Sequence, residues 1–269
     1  MKKREKFLKK SKQTVQEALK SRDMLLGSVT KSIEDLDKTI NLLGERLEDW
    51  YSVYFPELKE ADKLKFSEAV LVVDKENIDE KELASVLGQK SASAISKASE
   101  GSLGAKLSED DLAQCQSLAQ TIITLGKLRT KYEAYQKKLA EELCPNLSEV
   151  GGPEIAAKLV SHVGSLSRLA LLPASAIQVI GAEKALFKHL KNRKIPPPKH
   201  GIIFQHVKIS SSPKKVRGKI ARTLANKLCL AAKADAFSKN NISKQLKEDF
   251  EERYAEIMEA YQRSKESKK

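Results

Sequence analysis

Apolar side chains recur at alternating intervals of three and four residues along the first long segment of the chain. This heptad spacing is typical of a helix in a coiled coil. Charged residues occupy the positions between the apolar ones, and Pro56 is expected to end the helix. The predicted seam consists of Leu26, Val29, Ile33, Leu36, Ile40, Leu43, Leu47, Trp50 and Tyr54.

A second long helix is predicted to begin after Ser108, where an acid three residues on, Asp111, completes a capping box. Residues 57–107 begin with a short apolar run in LKFSEAVLVVDKEN, and the Ser/Ala/Gly-rich stretch that starts at Ser85 predicts short helices and loops at a tip between the two long helices. These helices most simply fold back as an antiparallel coiled coil, and two parallel seams in a dimer are the alternative. The second seam consists of Leu112, Cys115, Leu118, Ile122, Leu125, Leu128, Tyr132, Tyr135 and Leu139.

Beyond Pro145 the pattern becomes that of a compact helical domain. Two or three short helices are expected before Gly181, interrupted at Gly151-Gly152, Gly164 and Pro173. GAEKALFKHLK predicts a further helix, GIIFQH a short extended or buried segment, and VRGKIARTLANKLCLAAKADAF a basic amphipathic helix. The predicted fold class is all-α. The predicted divisions are a basic amino-terminal segment (1–22), a coiled coil with a helical tip (23–145), a compact domain (146–240) and a carboxyl-terminal helix with a charged tail (241–269).

Positive charge is concentrated in two parts of the chain, which carries a formal net charge of +13. The first 20 residues hold eight Lys or Arg against two Glu, and residues 184–239 hold fifteen against one acid, Asp235. Such local excess attracts phosphate backbones or anionic lipid. A basic face that is merely solvated is the alternative interpretation.

Residue patterns typical of enzymes are absent from the sequence. It contains no GxGxxG, GxxxxGKS/T, HExxH or GxSxG motif. His200 and His206 lie six residues apart without an acidic neighbour in sequence, and Cys229 is the only soft ligand near them. We therefore expect no catalytic residue, no metal site and no cofactor. The histidines are interpreted as packing residues or as hydrogen-bonding contacts to nucleic acid.

Cysteine usage and hydropathy indicate the compartment. Cys115, Cys144 and Cys229 are widely spaced, without a CxxC pair, and predict buried, reduced thiols. No apolar run reaches the roughly 18 residues of a membrane span, and the charged start of the chain does not resemble a signal peptide. These features predict a soluble, cytoplasmic protein without a membrane partner.

Several cations of the 184–239 segment are spaced to form a surface. Lys184, Lys188 and Lys191 are predicted to share one helix face, and further Lys and Arg residues follow the later helix. Gln205 and His206 add an amide and an imidazole, which can read base edges or 2′-hydroxyls. The pattern favours a nucleic-acid surface, and it does not by itself separate RNA from DNA.

Long motifs in this segment resemble a known family. GAEKALFKHL, PPKHGIIFQH, RGKIARTLANKLCLAAKADAF and LPASAIQVIGAEK are similar to the Nop domain of archaeal box C/D ribonucleoprotein scaffold proteins. Relatives include eukaryotic nucleolar Nop proteins and a spliceosomal Nop-domain protein. DLDKTINLLGERLEDWYSVYFPEL is similar to the family's coiled-coil opening, so the resemblance covers roughly residues 20–240.

The resemblance implies a non-catalytic, homodimeric scaffold that organises RNA-guided 2′-O-methylation of RNA. The dimer would form through the coiled coil, at Ile33, Leu36, Ile40, Leu43 and Leu47. The Nop domain would bind a kink-turn guide RNA together with a kink-turn-binding protein related to a ribosomal protein. The RNA-facing residues carried over by motif are Lys184, Lys188, Lys191, Lys199, His200, Gln205, His206, Arg217 and Lys219.

Family members hold the methyltransferase fibrillarin through a separate amino-terminal domain. This chain begins about twenty residues before the coiled coil, so that domain is expected to be missing and fibrillarin is only a possible partner. The sequence would then be a fragment, or a short paralogue that acts in another RNA–protein assembly. A structural coiled-coil adaptor and an enzyme, such as a nuclease or methyltransferase, are the alternatives from other functional classes.

Overall fold

The computed structural model describes residues 22–266 and, nearer the amino terminus, residues 4, 5, 7, 8 and 10–12. Most of the predicted basic segment 1–22 therefore lies outside the described residues. The regular structure of the described part is helical throughout and contains no strand, which confirms the all-α fold class. Within that part, no helix combines the length and apolar character needed to cross a lipid bilayer.

The helices follow one another with short connections. They are α1 (Asp23–Tyr51), α2 (Lys63–Val72), α3 (Glu80–Leu87), α4 (Gln89–Ser99), α5 (Glu109–Leu143), α6 (Pro145–Gly151), α7 (Pro153–Val163), α8 (Leu166–Leu171), α9 (Ala174–Val179), α10 (Glu183–Lys191), a 3-10 turn (Ile202–Gln205), α11 (Val207–Ser210), α12 (Arg217–Lys233), a π-helical turn (Ala234–Ser238) and α13 (Ser243–Glu266).

The chain divides into two compact units. One is Ser32–Glu133, and the other combines Met1–Lys31 with Ala134–Lys269. The two long helices, α1 and α5, each contribute residues to both units. The domain limits expected at residues 23, 146 and 241 follow changes in hydrophobic pattern, and they stay a prediction.

In the unit Ser32–Glu133, α1 and α5 pair as an antiparallel coiled coil. Arg129, late in α5, pairs with Asp37, whereas Cys115, early in α5, shares a core with Leu47, late in α1. This opposite order of contacts defines an antiparallel pair. The predicted seam positions Ile33, Ile40 and Leu47 are buried, and Leu36 and Leu43 are partly buried.

Short helices complete the core of this unit, and α4 lies in the Ser/Ala/Gly-rich stretch where short helices are predicted. Asp62 and Asp79 cap α2 and α3 by accepting hydrogen bonds from backbone N–H groups of their first turns. At the start of α5, the Ser108 hydroxyl donates to Asp111 (2.6 Å) and accepts from its N–H (3.2 Å), which confirms the predicted capping box.

The end of the first seam differs from the heptad prediction. Trp50 is 46% exposed, and the neighbouring Tyr51 is buried instead, with its ring at the edge of Tyr54 and Phe66. The predicted assignment of Trp50 to the core is wrong. Here α1 packs against the rings of the short-helix segment as well as against α5, so the core-facing position moves by one residue.

A shift of the same kind occurs in α5, in the unit that contains Ala134–Lys269. Tyr135 is 44% exposed, whereas Gln136 is buried and donates a 2.9 Å hydrogen bond to the Thr30 hydroxyl. Thr30 in turn donates to the Leu26 carbonyl oxygen (2.7 Å). The next predicted seam position, Leu139, is buried again, so the core-facing position moves at this turn and the seam continues beyond it.

In this same unit, α12 is the central helix. It packs against α6, α8, α9 and α13, and its buried face includes Ile220, Leu224 and Leu228. Four helices, α6 to α9, lie where two or three are predicted. GIIFQH, predicted to be extended or buried, contains a 3-10 turn and is not extended, and Ile203 is its buried residue.

Asp235, the acid of the cationic block, is buried in the π-helical turn. Its carboxylate accepts hydrogen bonds from the Asn146 N–H (3.1 Å), the Asn146 side-chain amide (2.7 Å) and the Leu147 N–H (2.8 Å). These donors lie at the start of α6, where N–H groups lack helical partners. Asp235 therefore fastens the end of α12 to α6.

The three cysteines are free and buried, as their spacing predicts. Burial is the main cause that raises the pKa of Cys144 to about 12. The Cys144 side chain therefore stays a thiol at neutral pH.

Candidate nucleic-acid interface

Helix α10 presents Lys184, Lys188 and Lys191 to solvent, and none of its nine residues is buried. Its apolar side is uncovered as well, with Phe187 66% exposed and Leu190 51% exposed. The predicted cationic helix face is thus accessible, and large apolar side chains are exposed on the same short helix.

The start of α10 is fixed by Glu183. Its carboxylate accepts from the Gly181 N–H (2.7 Å) and lies 2.8 Å from Nε2 of His162 on α7. Burial acts to raise the pKa of Glu183, but the Gly181 hydrogen bond and His162 lower it below its usual value, so the carboxylate stays charged. Gly181 itself has a φ of 84°, a conformation that favours glycine. Spacing in the sequence does not reveal the His162 contact, because that residue comes from another helix, α7.

The triple proline belongs to a loop that is attached to α9 by hydrogen bonds. The Gln178 side-chain amide donates to the Lys199 carbonyl oxygen (2.7 Å), and the Gly201 backbone N–H donates to the Gln178 carbonyl oxygen (2.9 Å). A Cβ at Gly201 would lie 1.8 Å from the Ile180 carbonyl oxygen, so this close approach requires glycine. The loop thereby holds Lys199 beside Gly218, at the first turn of α12.

His200 and His206 pack against aromatic rings. The His200 ring stacks on Phe204, with centroids 4.4 Å apart, and His206 meets the edge of Phe250 at 5.5 Å. Burial, followed by nearby cations, lowers the pKa of both imidazoles below 6.5. Both rings are therefore neutral at pH 7 and add no charge to the surface; hydrogen bonding and packing are the roles open to them.

Internal partners occupy two other predicted RNA-facing side chains. The Gln205 side-chain oxygen accepts from the Lys158 ammonium (2.7 Å). The half-buried Arg217 donates to the carbonyl oxygens of Ser212 (2.7 Å) and Ser210 (2.8 Å). Its guanidinium also lies 5.2 Å from the centre of the Phe204 ring. These hydrogen bonds from the Arg217 guanidinium stabilise the turn before α12.

The structure brings some of the predicted RNA-facing residues together. Lys199 and Lys219 line one shallow depression with Lys215 and Arg222, while Lys184, Lys188 and Lys191 lie on α10. The sequence places Arg222 among the cations of the later helix and Lys215 in a Ser/Pro loop within reach of phosphate, although neither is among the RNA-facing residues carried over by motif. Lys158 lies outside that segment, so charge density gives no signal for it.

The described residues do not gather a metal-binding group of three or more His, Cys, Asp or Glu side chains. Asp235 is 2% exposed and hydrogen-bonded inside the domain. The arrangement thus offers lysine ammonium groups, neutral imidazoles and exposed apolar side chains, which suit the binding of a phosphate backbone and an adjoining partner.

Comparison with known proteins identifies relatives over most of the chain. A family model described as "Nop: snoRNA binding domain, fibrillarin" matches residues 32–256. An uncharacterised NOP5 family protein of Methanocaldococcus jannaschii is 40% identical over 254 residues, which are 93% of this chain and 61% of that protein. Nucleolar protein 56 of Dictyostelium discoideum is 39% identical over 220 residues, 79% of this chain and 40% of that protein.

A solved structure is similar as well. The crystal structure of a fibrillarin/Nop5p complex matches with a TM-score of 0.58 and 30% identity, covering 94% of this chain and 77% of the matched chain. This chain spans less than two thirds of the length of the M. jannaschii and D. discoideum relatives.

The expected cytoplasmic location is wrong. The relatives from D. discoideum, Sclerotinia sclerotiorum and Caenorhabditis elegans are named nucleolar proteins 56 or 58. The cysteine usage and hydropathy on which that expectation rests do not separate the cytoplasm from the nucleolus.

The match over residues 32–256 contains most of α1 and all of α5, the exposed helix α10 and the central helix α12. The motifs from GAEKALFKHL to RGKIARTLANKLCLAAKADAF lie within it. The resemblance in the sequence is therefore confirmed, and the chain belongs to the Nop family of snoRNA-binding-domain proteins.

Proposed function

We propose that this chain is a non-catalytic scaffold of a box C/D ribonucleoprotein. It binds a kink-turn guide RNA together with a kink-turn-binding protein and organises RNA-guided 2′-O-methylation by a partner enzyme. The observation that carries the proposal is that the snoRNA-binding family match contains the longer of the two cationic segments, residues 184–239. Since Asp235, the acid of that segment, is buried and hydrogen-bonded, the segment offers no free carboxylate for chemistry.

In this proposal Lys184, Lys188 and Lys191 of α10 contact RNA phosphates. Their ammonium groups are exposed and have no carboxylate partner among the described residues. Exposed Phe187 and Leu190 on the same helix suit a protein surface beside the RNA, which supports joint recognition with the kink-turn-binding protein. Lys199 and Lys219 extend the phosphate contacts, and neutral His200 and His206 contribute hydrogen bonds or packing.

Fibrillarin is the proposed enzyme partner, because the solved relative is a fibrillarin/Nop5p complex. A pull-down with fibrillarin separates this assembly from one that works without a methyltransferase. Retention of fibrillarin supports the box C/D assignment. Its absence, with RNA binding intact, favours a Nop-domain protein of another RNA–protein assembly.

The chain is also proposed to form a homodimer through its coiled coil. The seam residues Ile40 and Leu47 already pack inside the chain against α5, so the dimer contact must use other side chains of α1. Leu42 and Trp50 on α1 are 54% and 46% exposed and are available for it.

A gel-shift titration tests the central proposal. Kink-turn RNA is titrated with this chain in the presence and absence of a kink-turn-binding protein, and ternary binding should be tighter than binding of the chain alone. The double variant Lys184→Glu/Lys188→Glu should weaken ternary binding, because two phosphate contacts become repulsive. Lys244→Glu, an exposed charge reversal on α13, is the matched control. Absent ternary binding, or equal binding by the double variant and the control, contradicts the proposal.

A further inference from the structure

A cleft of about 810 Å³ lies between α12 and α13. Val216 and Ile257, both buried, give it an apolar lining, and the partly exposed ring of Tyr261 borders it. The size falls within the range of about 300–1,000 Å³ that is usual for small-molecule sites. Lys215, Lys219 and Arg222 line both this cleft and the depression that contains Lys199. The three cations therefore connect the cleft with the proposed RNA surface.

Elsewhere along α13, carboxylates form ion pairs with cations of the neighbouring helices α12 and α11. Lys227 of α12 lies 2.6 Å from the Asp249 carboxylate of α13, and Lys208 on α11 pairs with Glu251 of α13. In this part of α13, the carboxylates of Asp249 and Glu251 therefore balance the charge of the facing lysines.

The three cations that line both the cleft and the depression lack such ion pairs within the described part of the chain. No carboxylate that the structure describes pairs with Lys215, Lys219 or Arg222. Glu256 also lines the cleft, but it pairs with Arg253. Three neighbouring cations without counter-charges repel one another, and an anion placed between them would remove that repulsion.

We propose that the cleft receives an unpaired nucleotide of the bound RNA. The base lies against Tyr261 and Ile257, and its flanking phosphates lie near Lys215, Lys219 and Arg222. This inference rests on the proposed RNA-scaffold function and adds a second contact region to it. The combination of an aromatic ring, an apolar lining and adjacent cations is the one that binds single-stranded nucleic acid. A free phosphate or an acidic lipid headgroup would leave the ring and the apolar lining without a partner.

The test compares two RNAs in the ternary complex. One is a kink-turn RNA that carries a single-stranded extension of about ten nucleotides, and the other is the same RNA without the extension. Fluorescence anisotropy gives the affinity of each for the unmodified chain and for its variants. Tyr261→Ala should weaken binding of the extended RNA at least about fivefold, since stacking of one base contributes about 1–3 kcal/mol. Binding of the trimmed RNA should be unchanged.

Matched variants separate stacking from a general structural effect. Tyr261→Phe keeps the ring and should keep the affinity for the extended RNA. Arg222→Ala should weaken that RNA, whereas Lys244→Ala, which removes an exposed cation from α13 outside the cleft lining, should not. Circular dichroism of each variant verifies that α12 and α13 stay folded.

Three results overturn this inference. The first is equal binding of both RNAs by the unmodified chain, and the second is an equal loss for both RNAs in Tyr261→Ala. The third is displacement of the extension by a poly-glutamate peptide that Tyr261→Ala no longer binds, which assigns the cleft to an acidic protein segment. These outcomes leave the proposed function standing. An unmodified chain that binds neither RNA removes both.

Discussion

Replacing Asp235 with alanine should destabilise the domain far more than any surface carboxylate does. The side chain is 2% exposed and receives the Asn146 and Leu147 N–H groups at 3.1 and 2.8 Å, as well as the Asn146 amide at 2.7 Å. The variant leaves these donors inside the protein with no carboxylate to accept from them.

The magnitude follows from the donors that lose their partners. The Asn146 side-chain amide still donates to the Asn240 carbonyl oxygen (2.9 Å), so its loss is partial. The two backbone N–H groups lose their acceptor completely. Each unsatisfied buried donor costs about 1–3 kcal/mol, which gives about 3–5 kcal/mol for Asp235→Ala. Asp235→Asn keeps one acceptor but places an amide donor near a backbone N–H, so it should cost about 2 kcal/mol.

Urea unfolding followed by circular dichroism measures the free-energy change. Hydrogen exchange at the start of α6 should accelerate in the same variant, since its first N–H groups become accessible. Glu149→Ala is the control. Glu149 lies on α6, and its side chain is 51% exposed and forms an ion pair with Lys247. That pair should contribute less than about 1 kcal/mol. An Asp235→Ala variant no less stable than Glu149→Ala would refute the structural role of the carboxylate.

Two further expectations concern pH and self-association. Burial, followed by Lys208, lowers the pKa of His206, so the unfolded chain takes up the proton more readily than the folded chain. Stability should therefore fall as the pH drops through about 6.5, and the urea midpoint should decline less between pH 7.5 and 5.5 in His206→Gln; an identical decline would contradict this reasoning. Leu42→Asp should reduce the mass measured by light scattering from dimer to monomer, because it places a charge on an exposed apolar position of α1. Asn41→Asp, the neighbouring exposed site, should leave the mass unchanged, and a dimer that persists in Leu42→Asp would exclude this contact.

The sequence predicts the helical elements well because their signals are local. Ser108 and Asp111 mark the start of α5, and Ile33, Ile40 and Leu47 mark the buried side of α1. Capping and periodicity depend on residues a few positions apart. The errors at Trp50 and Tyr135 are local, since the next seam positions, Tyr54 and Leu139, are buried as predicted. At those two turns the packing of neighbouring helices decides which side chain faces the core.

The candidate site was less predictable, since its geometry depends on residues that are distant in sequence. Charge density identifies Lys184, Lys188 and Lys199, all of which the structure leaves exposed. It does not show that the guanidinium of Arg217 is engaged by backbone carbonyl oxygens, or that Lys158 reaches Gln205. Those contacts exist only once α7, the 3-10 turn and α12 have packed together.

The salt dependence of RNA binding tests the central claim most directly. If Lys184, Lys188, Lys191, Lys199 and Lys219 contact phosphates, the logarithm of the ternary association constant should fall linearly with the logarithm of salt concentration, with a slope of about −4. The variant Lys184→Glu/Lys188→Glu should bind more weakly and give a slope shallower by about 1.5–2. A slope near zero, or one that the variant leaves unchanged, would contradict an RNA scaffold that binds through this surface.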